Sequence, residues 1–78
     1  MSETTQALAP FQMRVITEKS SLDTKIARLK NFMAFPTFLQ MKQEDNPQAK
    51  LLEQQLHHML AYSEVLAQRI ELFKAEPA

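Results

Sequence analysis

The apolar positions of the chain fall into two helical stripes separated by prolines. From Phe11 to about Phe35 there is neither glycine nor proline. Within that stretch Val15, Leu22, Ile26, Leu29 and Met33 lie 7, 4, 3 and 4 residues apart, the repeat of one helix face. Pro10 suits the first turn, where its missing N–H costs nothing. The spacing predicts a helix over 11–35, roughly 37 Å long at about 1.5 Å per residue. Pro36 disfavours helical geometry at Phe35, so the helix should end or bend there. Residues 36–46 then read as a hinge. Pro36 to Met41 can form one or two short turns whose Phe38, Leu39 and Met41 cap the end of a core. Gln43 to Asn46 reads as a loop, with Asn46 as N-cap and Pro47 at the first position of the next helix.

The second long helix, expected over 47–74, has the stronger pattern. Leu52, Leu56, Met59, Ser63, Leu66, Ile70 and Phe73 alternate spacings of 4 and 3 without a break. That is the seam of a coiled coil or of an antiparallel helix pair. A second row, Leu51, Tyr62, Val65 and Leu72, runs beside it, interrupted by Gln55, His58 and Arg69. The apolar stripe is wider than contact with one helix requires.

These elements predict an all-α chain: two long antiparallel helices joined by a short helical hinge. Residues 1–9 are expected to be a flexible N-terminal segment, 10–75 a single helical domain and 76–78 a tail. A chain of 78 residues is too short for a second domain. It is also small enough that its apolar burial hardly offsets an ordering cost of roughly 1.5 kcal/mol per residue. Association supplies the missing burial, and the expected state is an intertwined homo-oligomer. The second apolar row and the Phe35/Phe38 hinge would then meet neighbouring copies. A compact monomeric hairpin is the competing reading.

Composition narrows the functions. Nine Lys and Arg against nine Asp and Glu give zero formal charge, which argues against general coating of DNA or RNA. There is no cysteine and no glycine, hence no disulfide, no thiolate metal site and no usual phosphate-cradling loop. The longest uncharged run, Asn31 to Met41, has eleven residues and contains Pro36, against about 20 for a membrane span. Residues 1–10 carry Glu3, no basic residue and no apolar core, unlike a secretory signal. A soluble cytosolic protein is expected. His57 and His58, being adjacent, point about 100° apart on a helix and cannot share a metal. No pair of carboxylates forms an acid/base dyad and no Ser/His/Asp arrangement is legible, so neither an enzyme nor a cofactor is expected.

The first helix carries the candidate chemistry. With Arg14 as zero and about 100° per residue, Lys25 falls near 20°, Arg28 near −40° and Phe11 near 60°, beside an apolar stripe centred near 100°. Three cations thus form a row with an aromatic at its border, partly neutralised by Glu18. Residues 1–35 hold five basic and three acidic residues, and residues 36–78 four and six. The basic excess therefore lies on the half that carries the row. Such a row suits a small anionic nucleotide: cations pair with phosphates and a ring stacks on a base. The commoner reading of such a row is a solvated face whose Lys and Arg stems cover the core edge. Arg69, on the second apolar row, poses the same choice between an intersubunit ion pair and a phosphate contact.

The string Phe11-Gln12-Met13-Arg14-Val15-Ile16-Thr17-Glu18-Lys19, followed by Leu22-Asp23-Thr24-Lys25-Ile26, Leu29 and Phe32, resembles the first helix of the phage anti-CBASS type 2 family. These proteins are sponges that defeat cyclic-oligonucleotide-based antiphage signalling. Leu51-Leu52, Gln54-Gln55, Met59, Tyr62-Ser63, Leu66 and Gln68-Arg69-Ile70 are similar to its second helix. The resemblance spans residues 10–73 and implies a non-enzymatic, interlocked homohexamer in the cytoplasm of an infected bacterium. It implies sequestration of intact cyclic dinucleotides of the cyclic GMP-AMP type between subunits, and in some members of cyclic trinucleotides at separate sites. By the resemblance Phe11 is the base-stacking candidate and Lys25 the phosphate candidate; Arg14 and Arg28, from the cation row, are expected to assist Lys25. Arg69, the arginine of Arg69-Ile70, is a candidate for the second type of site. Phe11 stands where many relatives have tyrosine, which keeps stacking and loses a hydroxyl hydrogen bond. A helical oligomeric adaptor that grips a protein partner is the rival reading.

Overall fold

The structure is a computed structural model that describes residues 8–75, with three helices and no strand among them. Helix α1 is Pro10–Met33, α2 is Pro36–Gln43 and α3 is Pro47–Ala75. Most of the expected N-terminal segment (residues 1–7) and the tail (76–78) lie outside the described residues.

Local chemistry accounts for each boundary. Pro10 opens α1, the Ala9 carbonyl accepts from the N–H groups of Gln12 and Met13, and the Gln12 amide oxygen accepts from the Ala9 N–H at 2.9 Å. The helix stops at Met33, two residues short of Phe35. Phe35, which precedes a proline, is held extended at φ −84° and ψ 152°. Pro36 then opens α2, so the hinge is two full helical turns. Its end is closed by a Schellman motif, with the Asn46 N–H donating to the Met41 carbonyl at 2.9 Å and the Asp45 N–H to the Lys42 carbonyl at 3.1 Å. Asp45 takes the left-handed conformation, φ 55°, that this motif usually reserves for glycine. Asn46 caps α3 through its side-chain oxygen, which accepts from the Gln48 N–H at 2.9 Å, with Pro47 at the first helical position.

The core lies between α1 and α3. Val15, Leu22 and Ile26 are buried with Leu66, and Leu56, Met59, Ile70 and Phe73 pack partly buried around them. The start of α1 meets the end of α3, where the rings of Phe11 and Phe73 stand edge to face at 6.0 Å. Midway, Asp23 meets Ser63. At the far end Phe38 of α2 is buried against Phe32, edge to face at 6.1 Å. Phe38 therefore completes this chain's own core. Its hinge neighbours Phe35 and Leu39 are exposed.

The molecule is a rod of 59 × 18 × 16 Å with a radius of gyration of 17.6 Å, where a compact chain of this length has about 11–12 Å. Leu66 is the one large side chain among the described residues that is completely enclosed, at 0% exposure. Leu51, Tyr62, Val65 and Leu72, the second row of α3, remain open to solvent. On the helix they centre about 100° from the core seam. An apolar row, interrupted by Gln55, His58 and Arg69, thus runs along α3 without being covered by the chain itself.

Candidate functional site

All five candidate residues are exposed. They fall into two groups along the rod. At the end formed by the start of α1 and the finish of α3, the Phe11 and Phe73 rings meet edge to face, and Phe11 is 51% exposed. The contact supports the ring while about half of the residue stays open to solvent. Arg14 lies one turn after Phe11, and Arg69 lies one turn before Phe73, so both are helix-surface neighbours of this aromatic pair.

Lys25 and Arg28 form the second group. Fourteen residues separate Lys25 from Phe11, which is about 21 Å along α1. Both sit on the same side of the helix, but a cyclic dinucleotide cannot touch both within one chain. One chain therefore presents two candidate half-sites, one aromatic with arginines and one purely cationic. Glu18 lies exposed between them and limits the positive potential of the row.

On the opposite flank of α1 the structure builds a polar cluster that the sequence reasoning missed. The Lys19 ammonium contacts Asp23 Oδ2 at 2.7 Å and donates to Ser63 Oγ at 3.1 Å. Ser63 in turn donates to Asp23 Oδ1 at 2.6 Å. The three groups close a ring of hydrogen bonds across the α1–α3 seam. The Lys19 hydrogen bond, and after it that of Ser63, holds the Asp23 carboxyl below the ordinary aspartate range, against a small opposing effect of burial. Two signals for the cluster were present in the sequence. One is the seven-residue gap between Val15 and Leu22, with Lys19 at its seam position, and the other is Ser63 interrupting the seam of α3.

Open grooves flank this cluster. One of about 520 Å³ includes Ile16, Ser20, Thr24 and Ile70 in its lining, and one of about 410 Å³ includes Lys30, Leu60, Glu64 and Ala67. Both carry mixed charge and are too open to exclude water from a ligand by themselves. The His57 and His58 rings are exposed on α3, 5.7 Å apart. Among the described residues there is no cluster of His, Cys, Asp or Glu able to hold a metal, and no helix long and apolar enough to cross a membrane.

Two chemical properties follow from this geometry. The chain presents an aromatic ring and cations on an exposed surface, and it leaves an apolar row uncovered alongside them. A family model described as Sequestin matches residues 9–72. No curated protein and no solved structure matches the chain.

Proposed function

The chain belongs to the Sequestin family, and from that membership we propose that it is a phage immune-evasion protein that binds cyclic oligonucleotide second messengers and withholds them intact from host CBASS effectors. The match agrees with the resemblance of the α1 and α3 motifs to the anti-CBASS type 2 sponges. Cyclic dinucleotides of the cyclic GMP-AMP type are the proposed ligands, with cyclic trinucleotides as the second class to be tried. The working form is an oligomer, a hexamer by the resemblance, built from antiparallel helix pairs in the cytoplasm of the infected cell. Neither DNA, RNA nor a membrane is a partner in this reading.

The observation that supports it is the separation of Phe11 from Lys25. Each half-site alone is too poor for tight binding, and the uncovered row of Leu51, Tyr62, Val65 and Leu72 gives copies a reason to associate. In an assembly, Phe11, Arg14 and Arg69 of one copy can enclose a ligand together with Lys25 and Arg28 of another. Stacking contributes about 1–3 kcal/mol per base and each charged hydrogen bond about 1.5–3 kcal/mol. Two bases and two phosphates held this way approach the roughly −12 kcal/mol of a nanomolar complex. Binding is stoichiometric and no bond is broken.

The test is calorimetric titration of the wild type, Phe11→Ala and Lys25→Ala with a panel of cyclic di- and trinucleotides, followed by heat release and chromatography of the ligand. Binding by the wild type, a loss of tenfold or more in each variant, and return of intact ligand support the proposal. Silence toward every cyclic nucleotide overturns it in favour of the adaptor reading. Recovery of cleaved product overturns it in favour of an enzyme.

A further inference from the structure

The apolar seams of α1 and α3 are each broken once, and the two breaks face each other. On α1 the seam positions 15, 19, 22, 26, 29 and 33 alternate spacings of 4 and 3, and Lys19 is the single polar residue among them. On α3 the series from Leu52 to Phe73 is broken only at Ser63. In the folded chain Lys19 donates to Ser63 at 3.1 Å, and Asp23 ties both together at 2.7 and 2.6 Å. Ser63 is buried, so its hydroxyl needs these partners.

We infer that Lys19, Asp23 and Ser63 act as a register clamp: they position α3 along α1 and thereby bring Arg69 level with Phe11 and Arg14. The physical reason is degeneracy. Two seams with a seven-residue repeat match equally well when one slides past the other by one repeat, because leucine-like side chains meet leucine-like side chains in both arrangements. A slip by seven residues sets Lys19 against Leu56 or Ile70 and leaves the buried Ser63 hydroxyl without its partners. The clamp thus penalises the slipped pairing, as a single buried polar layer does in coiled coils. Other contacts that oppose a slip lie at the two ends of the rod, where Phe38 packs on Phe32 and Lys42 pairs with Glu53 at the α2 end and Phe11 meets Phe73 at the other. Nothing apolar in the middle of the rod distinguishes one register from the next.

The chain lacks cysteine, so introduced cysteines are unique attachment points. Spin labels at two exposed positions, Thr17→Cys on α1 and Gln54→Cys on α3, report the register by double electron–electron resonance. Dilution of the labelled chain with unlabelled chain confines the signal to distances within one copy. The wild-type background should give one narrow distance. Lys19→Leu combined with Ser63→Leu makes both seams continuous and should raise the thermal midpoint. It should also add a second population displaced along the rod by about 10 Å, seven residues at 1.5 Å each. Ser63→Thr, which keeps the hydroxyl, should retain the single distance, while its near-isostere Ser63→Val should broaden or split it. A single unshifted distance in both the double-leucine variant and Ser63→Val overturns the inference. The readout does not depend on any ligand, so it stands or falls separately from the proposed function.

Discussion

Val65→Glu tests directly whether the uncovered face is a contact between copies. Val65 is 52% exposed in the single chain, so a charged side chain there reaches water without strain. In a free protomer such a surface change shifts stability by no more than about 0.5 kcal/mol. In an assembly the same position is covered. Full burial of a valine side chain yields about 1.5–3 kcal/mol, and roughly half of that, about 1 kcal/mol, remains to be gained at the contact. The glutamate forfeits this gain and adds several kcal/mol for an ionised carboxylate taken out of water without a partner. The total of about 3–5 kcal/mol per contact corresponds to a dissociation constant raised by roughly 10²–10⁴. Light scattering coupled to size exclusion, run over a dilution series, measures the mass directly. The wild type should hold its mass and show a thermal midpoint that rises with concentration. Val65→Glu should shift to the protomer mass and lose helicity on dilution. If Val65→Glu keeps the wild-type mass and midpoint throughout the series, the row is not an interface, and the shared site loses its physical basis.

Leu66→Ala removes the one large side chain that is completely enclosed and should cost about 2–5 kcal/mol, read as a lower midpoint in urea. Asp45→Gly relieves a left-handed residue, worth about 1–2 kcal/mol, against about 0.4–1 kcal/mol of added freedom in the unfolded chain. It should therefore raise the thermal midpoint, and an unchanged or lower midpoint refutes strain at the turn. The Asp23 carboxyl is held below its ordinary value chiefly by Lys19, so its contribution is fully present above the unfolded pKa of about 3.9. As pH falls through the lower folded value the contribution is lost. The stability difference between wild type and Asp23→Asn should accordingly shrink below about pH 4, and a constant difference from pH 7 to pH 3 removes the clamp's ionic character.

The register of the helices decides which candidate residues lie together. Phe11 and Lys25 share a side of α1 because fourteen residues make nearly four whole turns, a property of spacing alone. Phe11 gains its support from Phe73, and Arg69 joins that end, because α3 is held at one position along α1. An error of one seven-residue repeat would leave every helix intact and disassemble this cluster.

The helices themselves, their prolines, the Asn46 cap and the α3 seam were all legible along the chain, because each depends on residues within one or two turns of each other. The stop at Met33 follows from Pro36 acting on Phe35 by the same local rule, and differs by two residues from the expected end. Other features depend on groups far apart in sequence. Phe38 is buried while Phe35 is open because α2 rotates one ring onto Phe32 and the other away. Lys19 holds a seam position by spacing alone, but the partner it finds there, Ser63, which accepts its hydrogen bond, lies 44 positions later. Periodicity can say that a helix has an apolar face. Which polar groups meet across that face depends on the relative rotation and sliding of whole helices, and the folded chain settles those through contacts between distant residues.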